Sequence, residues 1–202
     1  MRLIMLGPPG AGKGTQAVHV SAAHGIPAIS TGDIFRANIK EETDLGLQVK
    51  QITASGGYVP DAITNAIVRD RLAQDDTAPG FLLDGYPRTT GQVEALDEML
   101  GDAGHQLDAV VELTVDTDEV VQRLLTRAQE QGRADDTEDV IRERMRLYAE
   151  ETAPLAARYK ERGLLRRVDG MGEVAEVTAR IEAALEDLAG APAGGSGDAD
   201  VR

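Results

Sequence analysis

The chain alternates short, mainly apolar runs with longer stretches in which apolar positions recur every three or four residues. Residues 3–6 and 81–83 carry no polar residue, the pattern of strands buried on both faces of a parallel sheet, and residues 26–29, 107–115 and 164–168 read as further short strands. Helical spacing fills the intervals. A helix over 13–24 is stopped by Gly25, and one through Lys40 opens on the capping-box spacing Ser30-Thr31-Gly32-Asp33. Another over 44–55 ends at Gly56-Gly57, and further helices are predicted over 61–74, 89–103 and 117–131, from 136 or 137 onward, and over 173–188. This alternation predicts an α/β three-layer fold around a five-stranded parallel sheet. Helices crowd the interval between the second and third strands, enough for one to fold over the sheet as a flap. No internal repeat is visible.

The first strand breaks into Gly7-Pro-Pro-Gly-Ala-Gly-Lys-Gly-Thr15. Glycines there let the backbone turn so that its N–H groups face one concavity, Lys13 adds a point charge, and the following helix contributes its positive dipole end. Gly7, Gly12 and Lys13 fit the phosphate-cradling P-loop. Gly14, however, stands where most such loops carry a magnesium-binding hydroxyl, which arrives only at Thr15; the metal is therefore expected to be held mainly by phosphates and water. Asp84, closing the apolar third strand, is the position from which a P-loop fold holds magnesium through water.

Composition narrows the picture. A chain of 202 residues suits one domain, here 1–189, and the Gly-, Ala- and Asp-rich residues 190–202 read as a flexible acidic tail. A net charge of −14 and 3% aromatics argue against nucleic-acid binding. The absence of cysteine excludes disulfides and thiolate zinc. His19, His24 and His105 form no ligand cluster by spacing and are expected on the surface or at helix ends. With no long apolar span and no signal-peptide pattern, the expectation is a cytoplasmic protein without a membrane association. No exposed apolar stripe is evident, which favours a monomer. Lysine is scarce and arginine plentiful, so a nucleotide binder of this composition should gather its arginines locally. Arg123 and Arg127 share a helix face, and Arg142, Arg144 and Arg146 crowd one helix beside Glu138, Glu143 and Glu150.

The P-loop, Ser30-Thr-Gly-Asp33 with Arg36, Gly57-Tyr-Val-Pro60, Asp84-Gly-Tyr-Pro-Arg88 with Gln92, and Gly132-Arg-Ala-Asp-Asp136 together resemble adenylate kinase, in order, over residues 1–188. The resemblance implies reversible, magnesium-dependent phosphoryl transfer from ATP to AMP. It places Gly10, Ala11, Gly12, Lys13, Gly14 and Thr15 on the ATP phosphates and the Gly172 backbone near the ATP adenine. Thr31, Arg36, Gly57, Tyr58, Val59, Gly85, Tyr86, Pro87, Arg88 and Gln92 would form the AMP site. Arg123, Arg127, Arg133 and Arg144 would surround the transferring group. Residues 30–59 would be a moving AMP-binding flap, and residues 126–132 a short lid lacking the inserted zinc-bearing domain of longer relatives.

Two rivals are weaker on the residues. A pyrimidine monophosphate kinase of the same fold would carry alanine at Thr31 and asparagine after Arg88, where Thr89 stands. A GTP-dependent switch needs an Asn-Lys-x-Asp guanine reader, which neither Asn38 nor Asn65 begins.

Overall fold

The computed structural model describes residues 1–116, 120, 123, 124 and 137–189. Five strands, β1 (Arg2–Leu6), β2 (Ala28–Ser30), β3 (Phe81–Asp84), β4 (Ala109–Thr114) and β5 (Leu165–Asp169), form one sheet in the order β2-β3-β1-β4-β5. Every pairing is parallel. The inner strands β1, β3 and β4 are mainly apolar because both their faces are covered, whereas the edge strand β5, with Arg166, Arg167 and Asp169, is only partly buried. Ile4, Leu6, Ile29, Leu83 and Val110 point into one core with Val93, Leu96, Met99 and Leu100. Leu3, Met5, Leu82, Val111, Leu113 and Val168 point into the other, with Ala17, Val20, Val177, Ile181 and Leu185.

The covering helices follow in chain order as α1 (Lys13–His24), α2 (Thr31–Lys40), α3 (Asp44–Ala54), α4 (Asp61–Leu72), α5 (Thr90–Asp102), α6 (Glu138–Leu147), α7 (Leu155–Glu161) and α8 (Val174–Ala189). Of the helix expected over 117–131, Val120, Arg123 and Leu124 are described, and all three are helical. The expected lid at 126–132 and the tail at 190–202 lie outside the described residues. The expectation missed α7, which follows a π-helical turn over Tyr148–Thr152. Leu155, Ala156 and Tyr159 hold it against the core, and Leu155 and Tyr159, four residues apart, were its sequence signal.

The capping box at Ser30 is half formed. Ser30 Oγ accepts from the Asp33 N–H at 3.2 Å, whereas the Asp33 carboxylate turns to Arg36 instead of back to the cap. Beyond it, α2 and α3 build a small core of their own, Phe35, Val49 and Val59 with Ile39, Leu45, Ile63 and Ile67 around them. The segment expected as a flap thus has a small core that it shares with α4, while its Ile34 packs against the first sheet core.

Candidate active site

In a parallel sheet all strands end on one side, and ligands gather there. β1 runs into the glycine loop, and the register Met5↔Asp84 and Ser30↔Asp84 brings the ends of β1, β3 and β2 level. Above them lies a cleft of about 1530 Å³, against roughly 300–1,000 Å³ for an ordinary ligand pocket. Its walls include Gly10, Ala11, Gly12, Lys13, Gly14, Thr15 and Gly172 on one side. Thr31, Arg36, Gly57, Tyr58, Val59, Gly85, Tyr86, Pro87, Arg88 and Gln92 line the other, with Asp84, Arg123 and Arg144 also in the lining. Arg127 and Arg133 lie outside the described residues.

Gly7, Gly10 and Gly12 take φ of 145°, 83° and 86°, conformations in which a side chain would be strained. Gly10 is also close-packed: a Cβ there would stand 2.9 Å from Leu124 Cγ. Gly14 differs from the sequence expectation that it helps the turn. It is already in α1, and what its missing side chain gives is room beside Asp84, whose Oδ2 lies 3.5 Å from where a Cβ would be. Lys13 is folded onto the loop, donating to the carbonyls of Gly7 at 2.7 Å and Pro8 at 2.9 Å. Gln16 joins this end to the last helix: its Nε2 donates to the Val174 carbonyl at 3.0 Å and its Oε1 accepts from Thr178 at 2.7 Å. Arg123 donates to the Gly170 carbonyl at 3.3 Å.

Across the cleft, Arg88 is held from four directions. Its Nε donates to the Gly85 carbonyl at 2.8 Å, its backbone N–H to Gln92 Oε1 at 2.7 Å, and its own carbonyl accepts from Thr152 Oγ1 at 2.8 Å. The Tyr58 ring closes the set, with the guanidinium carbon 5.0 Å from the ring centroid, and the Tyr58 hydroxyl pairs with Thr152 Oγ1 at 2.9 Å. Burial lowers the Arg88 guanidinium below its ordinary range; Tyr58 and Asp84 oppose that shift, while Arg144 and Arg36 reinforce it. Arg88 is a desolvated cation among other cations, a setting that an incoming phosphate relieves. Tyr148, also in the lining, is pushed up to about 12 by burial first and by Glu112 second.

Two residues that the resemblance places in the AMP site are engaged within the protein. Thr31, 2% exposed, donates its hydroxyl to the Gly85 carbonyl at 3.0 Å. Gln92, also 2% exposed, has both ends of its amide engaged: Oε1 takes the Arg88 N–H and Nε2 donates to Asp61 Oδ1 at 2.7 Å. Asp61 and Thr152 were missed altogether. Their only sequence signal was proximity to the motifs, because Asp61 reads as a helix-start acid and Thr152 as a loop hydroxyl.

Two anion sites facing each other over one cleft suit a nucleotide pair, and comparison with known proteins gives the family. The family profile described as Adenylate kinase matches residues 5–164. The chain belongs to the adenylate kinase family. It is 63% identical over 186 residues to an adenylate kinase of Nocardioides sp., covering 92% of this chain and 97% of that one. It is 60% identical over 185 residues to an adenylate kinase of Kocuria rhizophila, with 92% and 98% covered. With an adenylate kinase of Leifsonia xyli the identity is 57% over 196 residues, 97% of this chain and 98% of that one. As a member of this family the chain is a kinase with a P-loop α/β fold.

Asp84 suits magnesium, the metal that the family implies. It is a hard oxygen donor at the mouth of the loop, beside a residue with no side chain to crowd it, which suits an ion that keeps several waters and binds protein through few carboxylates. Among the described residues no helix is long and apolar enough to cross a membrane.

Proposed function

We propose that the chain transfers a phosphoryl group reversibly from ATP to AMP, giving two molecules of ADP. The observation that carries this reading is the pairing of a backbone-N–H loop with a separate, arginine-lined wall across one cleft. The glycine loop and Lys13 take the ATP phosphates, Lys13 exchanging its two carbonyl partners for phosphate oxygens. Arg36 and Arg88 take the AMP phosphate, and Thr31, Gln92 and the backbone at 57–59 take its base. An oxygen of the AMP phosphate attacks the γ-phosphorus while the bond from that phosphorus to the β–γ bridging oxygen breaks, leaving ADP on both sides. The attacking group is already an anion, so the reaction asks for alignment, charge neutralisation and exclusion of water rather than for a base. Arg123, Arg127, Arg133 and Arg144 neutralise charge on the equatorial oxygens, and the segments 30–59 and 126–132 close over the pair. Asp84, through water, would hold a magnesium ion brought in with ATP, which when bound supplies charge neutralisation at the β- and γ-phosphates. We place the protein in the cytoplasm as a monomer, on its charge of −14 and the absence of an evident apolar stripe.

The test is a panel of AMP, CMP, UMP and GMP with MgATP, followed by diphosphate formation. AMP is expected as the strongly preferred acceptor; comparable turnover of CMP or UMP would return the chain to the pyrimidine branch of the fold.

A further inference from the structure

Gln92 is buried in the cleft wall with its amide in one fixed orientation. Oε1 accepts the Arg88 backbone N–H at 2.7 Å and Nε2 donates to Asp61 Oδ1 at 2.7 Å. Turned over, the amide would set its NH₂ against an N–H and its oxygen against a carboxylate oxygen, so these partners decide the orientation. Asp61 is itself anchored. Its Oδ2 accepts from Thr89 Oγ1 at 2.7 Å, and it occupies the first turn of α4. Gly91 makes the seat possible, since a Cβ there would lie 3.0 Å from Asp61 Oδ2.

We infer that Asp61 is a specificity-determining positioning residue: by locking the Gln92 amide it makes the acceptor site read a 6-aminopurine and reject a 6-oxopurine. The inference rests on the proposed function, which sets the acceptor base against Gln92. After its two internal bonds the amide retains one acceptor lone pair and one N–H. Adenine presents an N6–H donor beside the N1 acceptor, which those two groups complement. Hypoxanthine presents the reverse, an O6 acceptor beside an N1–H donor. Against a locked amide it meets donor with donor and acceptor with acceptor, whereas an amide free to turn would serve either base. Discrimination then comes from the cost of the wrong pairing rather than from extra attraction to the right one.

The experiment measures kcat/KM for AMP and for IMP at saturating MgATP in the parent protein, Asp61→Asn and Asp61→Ala, with kcat/KM for ATP and a thermal melt on each. Asp61→Asn is isosteric and can turn its own amide to meet either orientation of Gln92, so that of the two fixing bonds only the one from the Arg88 N–H still biases the amide, and it keeps the test open if Asp61→Ala unfolds. The AMP-to-IMP ratio is expected to fall about tenfold or more in the variants, partly through a gain on IMP, with the ATP value little changed. A carboxylate that merely held the fold together would lower both acceptors alike. A ratio within twofold of the parent's in folded Asp61→Asn would overturn the inference. A parent protein that transfers nothing to AMP would instead overturn the proposed function beneath it, so the two failures are distinguishable.

Discussion

Arg88 shows what a residue-scale reading of the sequence reaches and what it leaves. Its place after Asp84-Gly85-Tyr86-Pro87 marks it as a phosphate ligand by resemblance, but nothing in the sequence links it to Tyr58, thirty residues earlier in the chain. The structure stacks that ring on the guanidinium and ties the hydroxyl through Thr152 to the Arg88 carbonyl. A desolvated cation–π contact is worth up to about 2 kcal/mol. Tyr58→Leu is therefore expected to lower kcat/KM for AMP by roughly tenfold and leave that for ATP nearly unchanged. Tyr58→Phe, which keeps the ring, should recover most of the loss. Equal losses on both substrates, or no rescue by phenylalanine, would detach the ring from Arg88. Gln92 teaches the complementary point. Its residue type told that it could read a base, and only its surroundings, Arg88 and Asp61, fix which way its amide faces.

At the scale of elements, α6 sorts three arginines that the sequence presents as equals. Arg142 pairs with Glu138, and Arg146 with Glu143 and Glu150, all along the exposed face of the helix. Arg144, two residues from each, lines the cleft. Helical geometry separates i and i+2 by more than a quarter turn, so the sorting was legible in principle once the cleft-facing side was known. Arg144→Ala is expected to lose about 10³-fold in turnover if it meets the transferring group, whereas Arg142→Ala, whose exposed pair contributes little, should behave as the parent does. Similar kinetics for the two variants would remove Arg144 from the site. Where the segment expected as a flap meets this helix, Gly56 takes φ of 82°, and a Cβ would stand 3.0 Å from the Val140 carbonyl oxygen. Gly56→Ala should destabilise the protein by roughly 1–2 kcal/mol through left-handed strain alone, read as a lowered Tm. Gly101→Ala, in α5 with nothing within 4 Å of the new Cβ, is the neutral-to-stabilising control.

For the whole molecule, the sheet was legible because a strand buried on both faces reads as a mainly apolar run, and β1, β3 and β4 are such runs, broken inside only at Glu112 of β4, which pairs with Arg167. The third layer was less so. α7 is short and has no side-chain cap, so tertiary burial of Leu155 and Tyr159 holds it rather than local signals. The site divides along the same line. The glycine loop and Asp84 were legible because local chemistry dictates them, whereas Asp61 and Thr152 act through partners far away in sequence. Residues 190–202 offer little apolar area, three alanines with Pro192 and Val201, to offset ordering, so their deletion should leave Tm and turnover nearly unchanged; a large fall in either would show that they dock.

The central claim is that two nucleotides are held in one water-excluding cleft and exchange a phosphoryl group directly. Phosphorus NMR of the protein with magnesium and ADP as the sole nucleotide tests it without any second substrate. The account predicts that ADP signals give way to ATP and AMP in equal amounts, with no inorganic phosphate released during the approach to equilibrium. Inorganic phosphate appearing in step with ADP loss, or ADP left unchanged, would contradict it.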